Sequence, residues 1–332
     1  MDLALAGAGA ASVVHALAAS AVGAPIIAVA SRTGESARER AGQVGARAVT
    51  LDALPAGADA VIVCTPPDRH APDTTAVLEA GAVALVETPL ATTLAHADAL
   101  VDRGGRVLYG EHLAHSPVID AVRTSTTSIG SIRHVEIRLL SPRPDWGTYL
   151  DPAGGGGALF HLGAHGIALA LLVLPDDRPV SLRAAVDAAS GLAVDDRAEV
   201  LLRFASGAVA RVEVDWRSPS SIWDVQVSSD TDVVRADLLP TADLEHNGDP
   251  VGLPPCHHDV DPHLELLGHV AQLQALARVV DGAVPSVDVR FGREVLEIVC
   301  AAYRAAATGA DEPLPYTGPR DVTPITLWRR SP

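Results

Sequence analysis

The first third of the chain alternates short apolar runs with longer stretches in which apolar residues recur at helical spacing. The apolar runs are predicted strands, at 3–6, 25–30, 58–64, 83–86 and 106–109. The stretches between them are predicted helices, at 12–22, 36–44, 71–80 and 93–103. This alternation is typical of a doubly wound α/β domain built on a parallel sheet.

The pattern changes after about residue 117. Apolar and polar residues then alternate with a period of two, at 134–140, at 199–204 and 208–216 around a hairpin turn, and at 222–228. Two long helical patterns follow, at 263–280 and 291–308. We therefore predict two domains, an α/β domain at 1–117 and an α+β domain with an open, mostly antiparallel sheet at 118–332.

Composition and charge exclude several classes of protein. The 332 residues are 48% hydrophobic and 20% charged, as in a globular protein, and the net charge of −16 argues against nucleic acid or an anionic membrane as partner. We expect no membrane span, because no run of about 18 apolar residues stands out, and no signal peptide, because the N-terminus carries Asp2 and no early basic cluster. Three scattered cysteines fit a reducing compartment, so we expect a cytoplasmic protein.

The chain contains no lysine, because all 25 of its basic residues are arginine. Such a protein cannot use an ε-ammonium group as proton donor, Schiff-base former or phosphate clamp. Any chemistry must be carried by other side chains.

A glycine-rich segment, Gly7-Ala8-Gly9-Ala10-Ala11-Ser12, follows the first predicted strand and opens the first predicted helix. In this setting glycines let the backbone approach a pyrophosphate at the positive end of the helix. Gly7, Gly9, Ala10 and Ser12 are therefore candidate dinucleotide-binding residues.

The second predicted strand is followed by Ser31-Arg32. An acidic residue commonly binds the ribose hydroxyls of NAD at this point, whereas a hydroxyl and a guanidinium suit the 2′-phosphate of NADP. The sequence therefore favours NADP. NAD stays possible, since Arg32 can instead stack on the adenine.

Further groups of residues follow in a distinctive order. They are Thr65-Pro66 with His70, Glu87-Thr88-Pro89, Trp146 with Gly154-Gly155-Gly156-Gly157, and the pair His161 and His165. Together they resemble the Gfo/Idh/MocA family of NAD(P)-dependent oxidoreductases, which has Thr-Pro-x-x-x-His, then Glu-Lys-Pro, then Gly-Gly-Gly-x-x-x-Asp-x-x-x-His. The resemblance implies a Rossmann domain, a small-molecule substrate and a homo-oligomer (dimer or tetramer) formed through the second-domain sheet. It adds Thr65, Pro66, His70 and Glu87 to the candidate cofactor-binding residues.

The departures from the family pattern fall where the resemblance places the active site. Thr88 replaces the Glu-Lys-Pro lysine, and His161 replaces the second-domain aspartate. Only His165 is retained from the family's proton-handling residues. Ala168 stands where a further aspartate often follows the histidine.

Histidine, with an unperturbed pKa of about 6.5, can transfer a proton near neutral pH without lysine. We therefore predict an oxidoreductase in which His165 is the acid/base, His161 orients it or relays the proton, and Thr88 offers a hydroxyl to the substrate. Three alternatives stay open: a dinucleotide-binding sensor or assembly partner without turnover, net non-redox chemistry with a retained cofactor, and zinc held by the two histidines with His112 or His115. We predict no resident metal.

Overall fold

The computed structural model describes residues 1–189, 191–257 and 259–329. The chain divides into two compact units. The first contains Met1–His112 and His257–Arg293, and the second contains Leu113–Cys256 and the chain from Glu294 onward. The predicted domains, 1–117 and 118–332, were each continuous. In the structure each unit is discontinuous, because the segment His257–Arg293 belongs to the first unit and the chain returns to the second unit after it.

Residues 1–112 form a six-stranded parallel sheet with helices between its strands. The strands are β1 (Leu3–Ala6), β2 (Ile26–Ala30), β3 (Arg47–Val49), β4 (Ala60–Val63), β5 (Val83–Val86) and β6 (Val107–Tyr109). The helices are α1 (Ala10–Ala21), α2 (Gly34–Val44), α3 (Pro67–Glu79) and α4 (Leu94–Arg103). The strand order, β3-β2-β1-β4-β5-β6, is that of a Rossmann fold, so this prediction is confirmed.

Residues 113–256 contain a mixed sheet and two helices. The strands are β7 (His134–Pro142), β8 (Pro179–Asp187), β9 (Arg197–Phe204), β10 (Val209–Asp215), β11 (Arg217–Ser228), β12 (Val233–Leu239), β13 (Asp243–His246) and β14 (Asp249–Pro250). The helices are α5 (Pro117–Thr126) and α6 (Ala158–Val173). β7 and β10 pair in parallel, and the other pairs are antiparallel, as predicted for most of this sheet.

The remaining elements are α7 (Pro262–Leu266), α8 (His269–Val280), α9 (Val289–Thr308), β15 (Glu312–Pro313) and α10 (Pro324–Arg329). The single helix predicted at 263–280 is therefore two helices. Gly268, with φ of +91°, separates them, because this left-handed backbone cannot continue a helix. In the first unit, α8 packs on α1. β15 instead pairs with β8 as the last strand of the nine-stranded second sheet.

One segment, Pro152–Val173, is long and apolar enough to cross a membrane, although no such run was expected from the sequence. It contains α6, and 89% of its most apolar 18-residue stretch is buried inside the fold. α6 lies against the sheet of the second unit, and a Cβ at Gly166 would lie 2.5 Å from Val212 Cγ1. The segment thus has the burial of a core helix.

Candidate functional sites

The glycine-rich loop of the first unit joins β1 to α1. Gly7 has a φ of +125°, and a Cβ there would overlap the carbonyl oxygen of Cys64 at the end of β4. Gly9 instead borders open space, since no described atom lies within 4 Å of its would-be Cβ. As the N-cap of α1 it has no side-chain cap, and the first turn has no acidic residue. This arrangement fits a dinucleotide pyrophosphate at the positive helix end.

Two other predicted residues of this loop occupy different positions. Ala10 is exposed at the start of α1. Ser12 is buried, and its hydroxyl donates a hydrogen bond of 2.6 Å to the Gly9 carbonyl. Ser12 therefore stabilises the shape of the loop from within.

The end of β2 carries the predicted adenosine-recognition residues. Ser31 is half-buried and Arg32 is exposed. The next residue, Thr33, caps α2 by accepting a hydrogen bond from the Ser36 amide. In the described part of the chain, no carboxylate forms an ion pair with Arg32, so its guanidinium can meet a phosphate or an adenine ring.

The segment after β4 is fixed largely by internal hydrogen bonds. The Thr65 hydroxyl donates to Asp73 Oδ2 at 2.8 Å, and Pro66 is exposed as the N-cap of α3. The ring nitrogens of buried His70 lie 2.7 Å from the Thr65 carbonyl and 2.8 Å from the Pro89 carbonyl. Burial lowers the pKa of His70 below 6.5, although both carbonyls act to raise it. His70 therefore links the segments that follow β4 and β5.

Glu87 and Thr88 follow β5 and lie beside a histidine that the sequence analysis did not single out. His15 Nε2 is 2.5 Å from Glu87 Oε1, and the Thr88 amide donates to Glu87 Oε2 at 3.1 Å. Burial acts to raise the pKa of Glu87, but the hydrogen bond from His15 and the charges of nearby histidines lower it overall. Thr88 is 5% exposed. The one sequence signal for His15 was a polar residue three positions after Ser12, on the same face of α1.

In the second unit, Asp195 holds the start of the helix that carries the predicted catalytic histidines. Its buried carboxylate accepts hydrogen bonds from the amides of Gly157 at 3.0 Å and Leu159 at 2.8 Å. The Tyr303 hydroxyl donates a third, at 2.5 Å. Burial raises the pKa of Asp195, while these three donors oppose the rise. Asp195 therefore caps α6 and positions its first turn.

The four glycines before α6 are all buried against protein atoms. Added Cβ atoms would overlap the Thr148 carbonyl at Gly154, the Phe160 ring at Gly155, the Tyr303 hydroxyl at Gly156 and the Asp195 carbonyl at Gly157. These glycines therefore permit close packing inside the second unit.

His161 projects from α6 into a group of aromatic rings. It stacks on Tyr149, with ring centroids 4.2 Å apart and planes at 23°, and contacts Trp146 edge-on at 5.6 Å and Trp216 at 5.8 Å. We call Trp146, Tyr149, His161 and Trp216 the ring cluster.

The His161 and His165 rings share one side of α6 but lie 6.5 Å apart between centroids. An imidazole nitrogen lies about 1 Å from its ring centroid, so the rings cannot share a direct hydrogen bond of about 3 Å. His165 is 7% exposed and lies 5.9 Å from the Trp223 ring. Among the described residues, His161 belongs to no set of three or more metal-binding side chains whose ligand atoms lie within 4.8 Å of one another.

Comparisons with known proteins identify the family of this chain, because family models match a part of each unit. The model of the oxidoreductase family with an NAD-binding Rossmann fold matches residues 1–104, and that of the GFO/IDH/MocA C-terminal domain matches residues 124–230. Inositol 2-dehydrogenase of Rhizobium meliloti (strain 1021) is 30% identical over 268 residues, covering 76% of this chain and 81% of that protein. The chain belongs to the Gfo/Idh/MocA family. It is thus a member of an NAD-binding oxidoreductase family, as the motifs predicted.

The names of two further relatives mention different cofactors. D-xylose 1-dehydrogenase (NADP(+)) 2 of Haloferax volcanii is 27% identical, covering 76% of this chain and 79% of that protein. The crystal structure of GenD2 from gentamicin A biosynthesis in complex with NAD has a TM-score of 0.83 and 26% identity, covering 95% of this chain and 96% of that one. Both NAD and NADP are thus named among these relatives.

Proposed function

We propose that this protein is an NAD(P)-dependent dehydrogenase of a small hydroxyl, carbonyl or imine compound, such as a modified sugar. The observation that carries the proposal is the open space at Gly9 beside the uncapped start of α1. Membership of a family whose relatives include an inositol and a xylose dehydrogenase supports it.

The dinucleotide would be held by the β1–α1 loop and by the residues after β2. Gly7 and Gly9 permit close approach of the pyrophosphate, and the first turn of α1 offers it partial positive charge. Arg32 favours NADP over NAD, because an exposed guanidinium without a described ion-pair partner can bind the 2′-phosphate. The bound nicotinamide supplies hydride chemistry. The expected effect of Arg32→Ala is a loss of NADP affinity, measured by titration, with NAD affinity little changed.

We assign the substrate proton to His165. It is nearly buried, and it lies on a helix whose start Asp195 and Tyr303 fix. An imidazole can accept a proton from an alcohol as hydride leaves, or return it to a carbonyl in the reverse direction. The Thr88 hydroxyl is proposed to hydrogen-bond the substrate oxygen. His161 is proposed to orient the substrate, since the distance between the rings argues against direct transfer to His165.

We also propose that the protein works as a homo-oligomer through the sheet of its second unit. The face opposite α6 carries cross-strand ion pairs, including the bidentate pair of Arg138 with Asp224. Paired charges are compatible with burial against a second copy. Sedimentation velocity tests this, and a monomer at micromolar concentration would contradict it.

The second candidate function is a dinucleotide-binding sensor without turnover. The separation of His161 from His165 motivates it, because the predicted direct relay between these two histidines is absent and the proton transfer must rely on His165 without it. To discriminate, we would measure nicotinamide absorbance with a broad panel of sugars, cyclitols, aldehydes and imines, and compare His165→Ala with the wild type. Turnover that falls about 100-fold or more in His165→Ala supports the dehydrogenase. Cofactor binding without any absorbance change would favour the sensor.

A further inference from the structure

The ring cluster brings together three of the few Phe, Trp and Tyr residues of this chain. Aromatic residues make up 3% of the sequence, and only four are tryptophans. Two of these, Trp146 and Trp216, belong to the ring cluster, and a third, Trp223, lies beside His165. Within its own unit, the proposed proton-transfer residue thus has one tryptophan neighbour, Trp223, and shares a side of α6 with the ring cluster member His161.

One side of the ring cluster is accessible to solvent. Trp146 is 46% exposed, although it meets the Tyr149 ring edge-on at 5.7 Å. Leu150, in the same loop, is 39% exposed. The exposed Trp146 indole is therefore available to stack on another molecule at the open side of the ring cluster.

A second observation also points to a ligand. Trp216 is 3% exposed, and its indole Nε1 has no hydrogen-bond acceptor in the part of the chain that the structure describes. Buried indole N–H groups usually find an acceptor. An oxygen that joins an apolar portion of a bound molecule to the rest of that molecule, such as a glycosidic oxygen, would supply one within the ring cluster.

The arrangement of His161 agrees with a role in recognition. One face of its ring is covered by Tyr149, and its neighbours Trp146 and Trp216 are also aromatic. A site for a polyhydroxylated ring needs a polar partner for each hydroxyl group. The ring cluster offers broad π surfaces, and its polar atoms are confined to the edges of the rings.

We infer that the ring cluster binds an apolar portion of the substrate, an aryl or deoxygenated ring portion, and that Trp146 is a specificity-determining residue. The inference rests on the proposed function for the identity of the site. It predicts tighter binding of a ligand that carries the aryl group than of an otherwise identical ligand that lacks it, because aromatic stacking and dehydration of the apolar surface both favour the former.

The test compares phenyl β-D-glucopyranoside with methyl β-D-glucopyranoside, which differ only in the group attached at C1. Both are titrated calorimetrically into the full-length enzyme saturated with NADP or NAD, and saturation-transfer NMR reports which ligand protons contact the protein. We expect the phenyl compound to bind about tenfold more tightly. Trp146→Ala should reduce that preference to about twofold or less, and Trp146→Phe should retain most of it.

Trp328→Ala is the matched control, since it also removes a tryptophan but leaves the ring cluster intact. It should keep the wild-type preference. Equal binding of the two glycosides, an unchanged preference in Trp146→Ala, or no binding of the phenyl compound up to about 10 mM would overturn the inference. Turnover is measured separately. If the preference follows Trp146 while no compound of the broad panel reduces or oxidises the nicotinamide, the ring cluster inference stands as a binding site and the dehydrogenase proposal fails.

Discussion

Each unit of the molecule has a glycine-rich segment at the start of a helix, and the two segments serve different purposes. Before α1, Gly7 packs against the Cys64 carbonyl, while Gly9 borders open space. Before α6, protein atoms occupy the space that a Cβ would take at each of Gly154–Gly157. The N-terminus of α1 has no side-chain cap and is suited to an external anion. The N-terminus of α6 is capped by the carboxylate of Asp195. Glycine content alone therefore does not distinguish a ligand loop from a packing device.

The largest effect is expected for Gly157→Ala. The new Cβ would overlap the Asp195 carbonyl oxygen, and backbone atoms cannot move away cheaply. We expect the free energy of unfolding to fall by more than about 3 kcal/mol. Urea denaturation measures it. A variant as stable as the wild type would show that α6 does not need this close contact.

The next largest effect is expected for His15→Ala in the first unit. The Glu87 side chain is 19% exposed, and the substitution leaves its carboxylate without its closest partner. Removing one member of a mostly buried pair should cost about 3 kcal/mol of unfolding free energy. Thermal and urea unfolding would be compared with His15→Gln, which keeps a hydrogen-bond donor and should lose less. Equal losses in both variants would count against the pairing.

Gly9→Ala should separate binding from stability. Gly9 has a φ of −80°, which alanine tolerates, and no described atom would meet its Cβ. We expect the free energy of unfolding to stay within about 0.5 kcal/mol of the wild type. We expect the dinucleotide affinity to fall about tenfold, because the methyl group occupies the space next to the pyrophosphate. Fluorescence titration with NADPH and NADH checks the affinity. Unchanged affinity would mean that the open space at Gly9 is not the binding site.

The smallest effects should appear as pH dependence in the first unit. Folded His70 has a lowered pKa, so the unfolded chain takes up its proton first, and stability should begin to fall as the pH drops below 6.5. Glu87 also has a lowered folded pKa. Its contribution is present above its usual pKa of 4.5 and is lost as the pH falls further.

Unfolding curves between pH 7 and pH 3 would follow both losses. Glu87→Gln should flatten the lower part of the profile. It should also enlarge the upper loss, because the Glu87 charge acts to raise the pKa of folded His70 and its removal lowers that pKa further. An unchanged profile in that variant would show that Glu87 does not contribute the lower loss.

The fold was largely predictable because its signals are local. β1 and β5 match their predicted limits, since a continuous apolar run bounded by turn residues defines a buried strand. The hairpin of β9 and β10 was also predicted, from period-two alternation around Ser206-Gly207. β3 (Arg47–Val49) was not predicted, because it is a short edge strand that is largely exposed and lacks an apolar pattern.

The candidate sites were less predictable because their contacts join distant residues. His15 and Glu87 are 72 positions apart, and Asp195 lies 38 positions from Gly157. Neither His15 nor Asp195 was singled out. Ser12 and Thr65 were assigned to the cofactor, yet their hydroxyls donate to Gly9 and Asp73 within the protein. Hydrogen bonds of this kind depend on where the chain returns.

The sequence by itself determined the α/β and α+β classes of the two units, the glycine loop before α1 and the absence of lysine chemistry. Periodicity and composition are properties of short segments, so they are readable without a fold. Only the tertiary structure decided that Gly154–Gly157 are packing residues, that His161 lies in the ring cluster and that its ring is too far from His165 for a direct hydrogen bond. Those outcomes depend on distances between elements, which burial and close packing set across the whole unit.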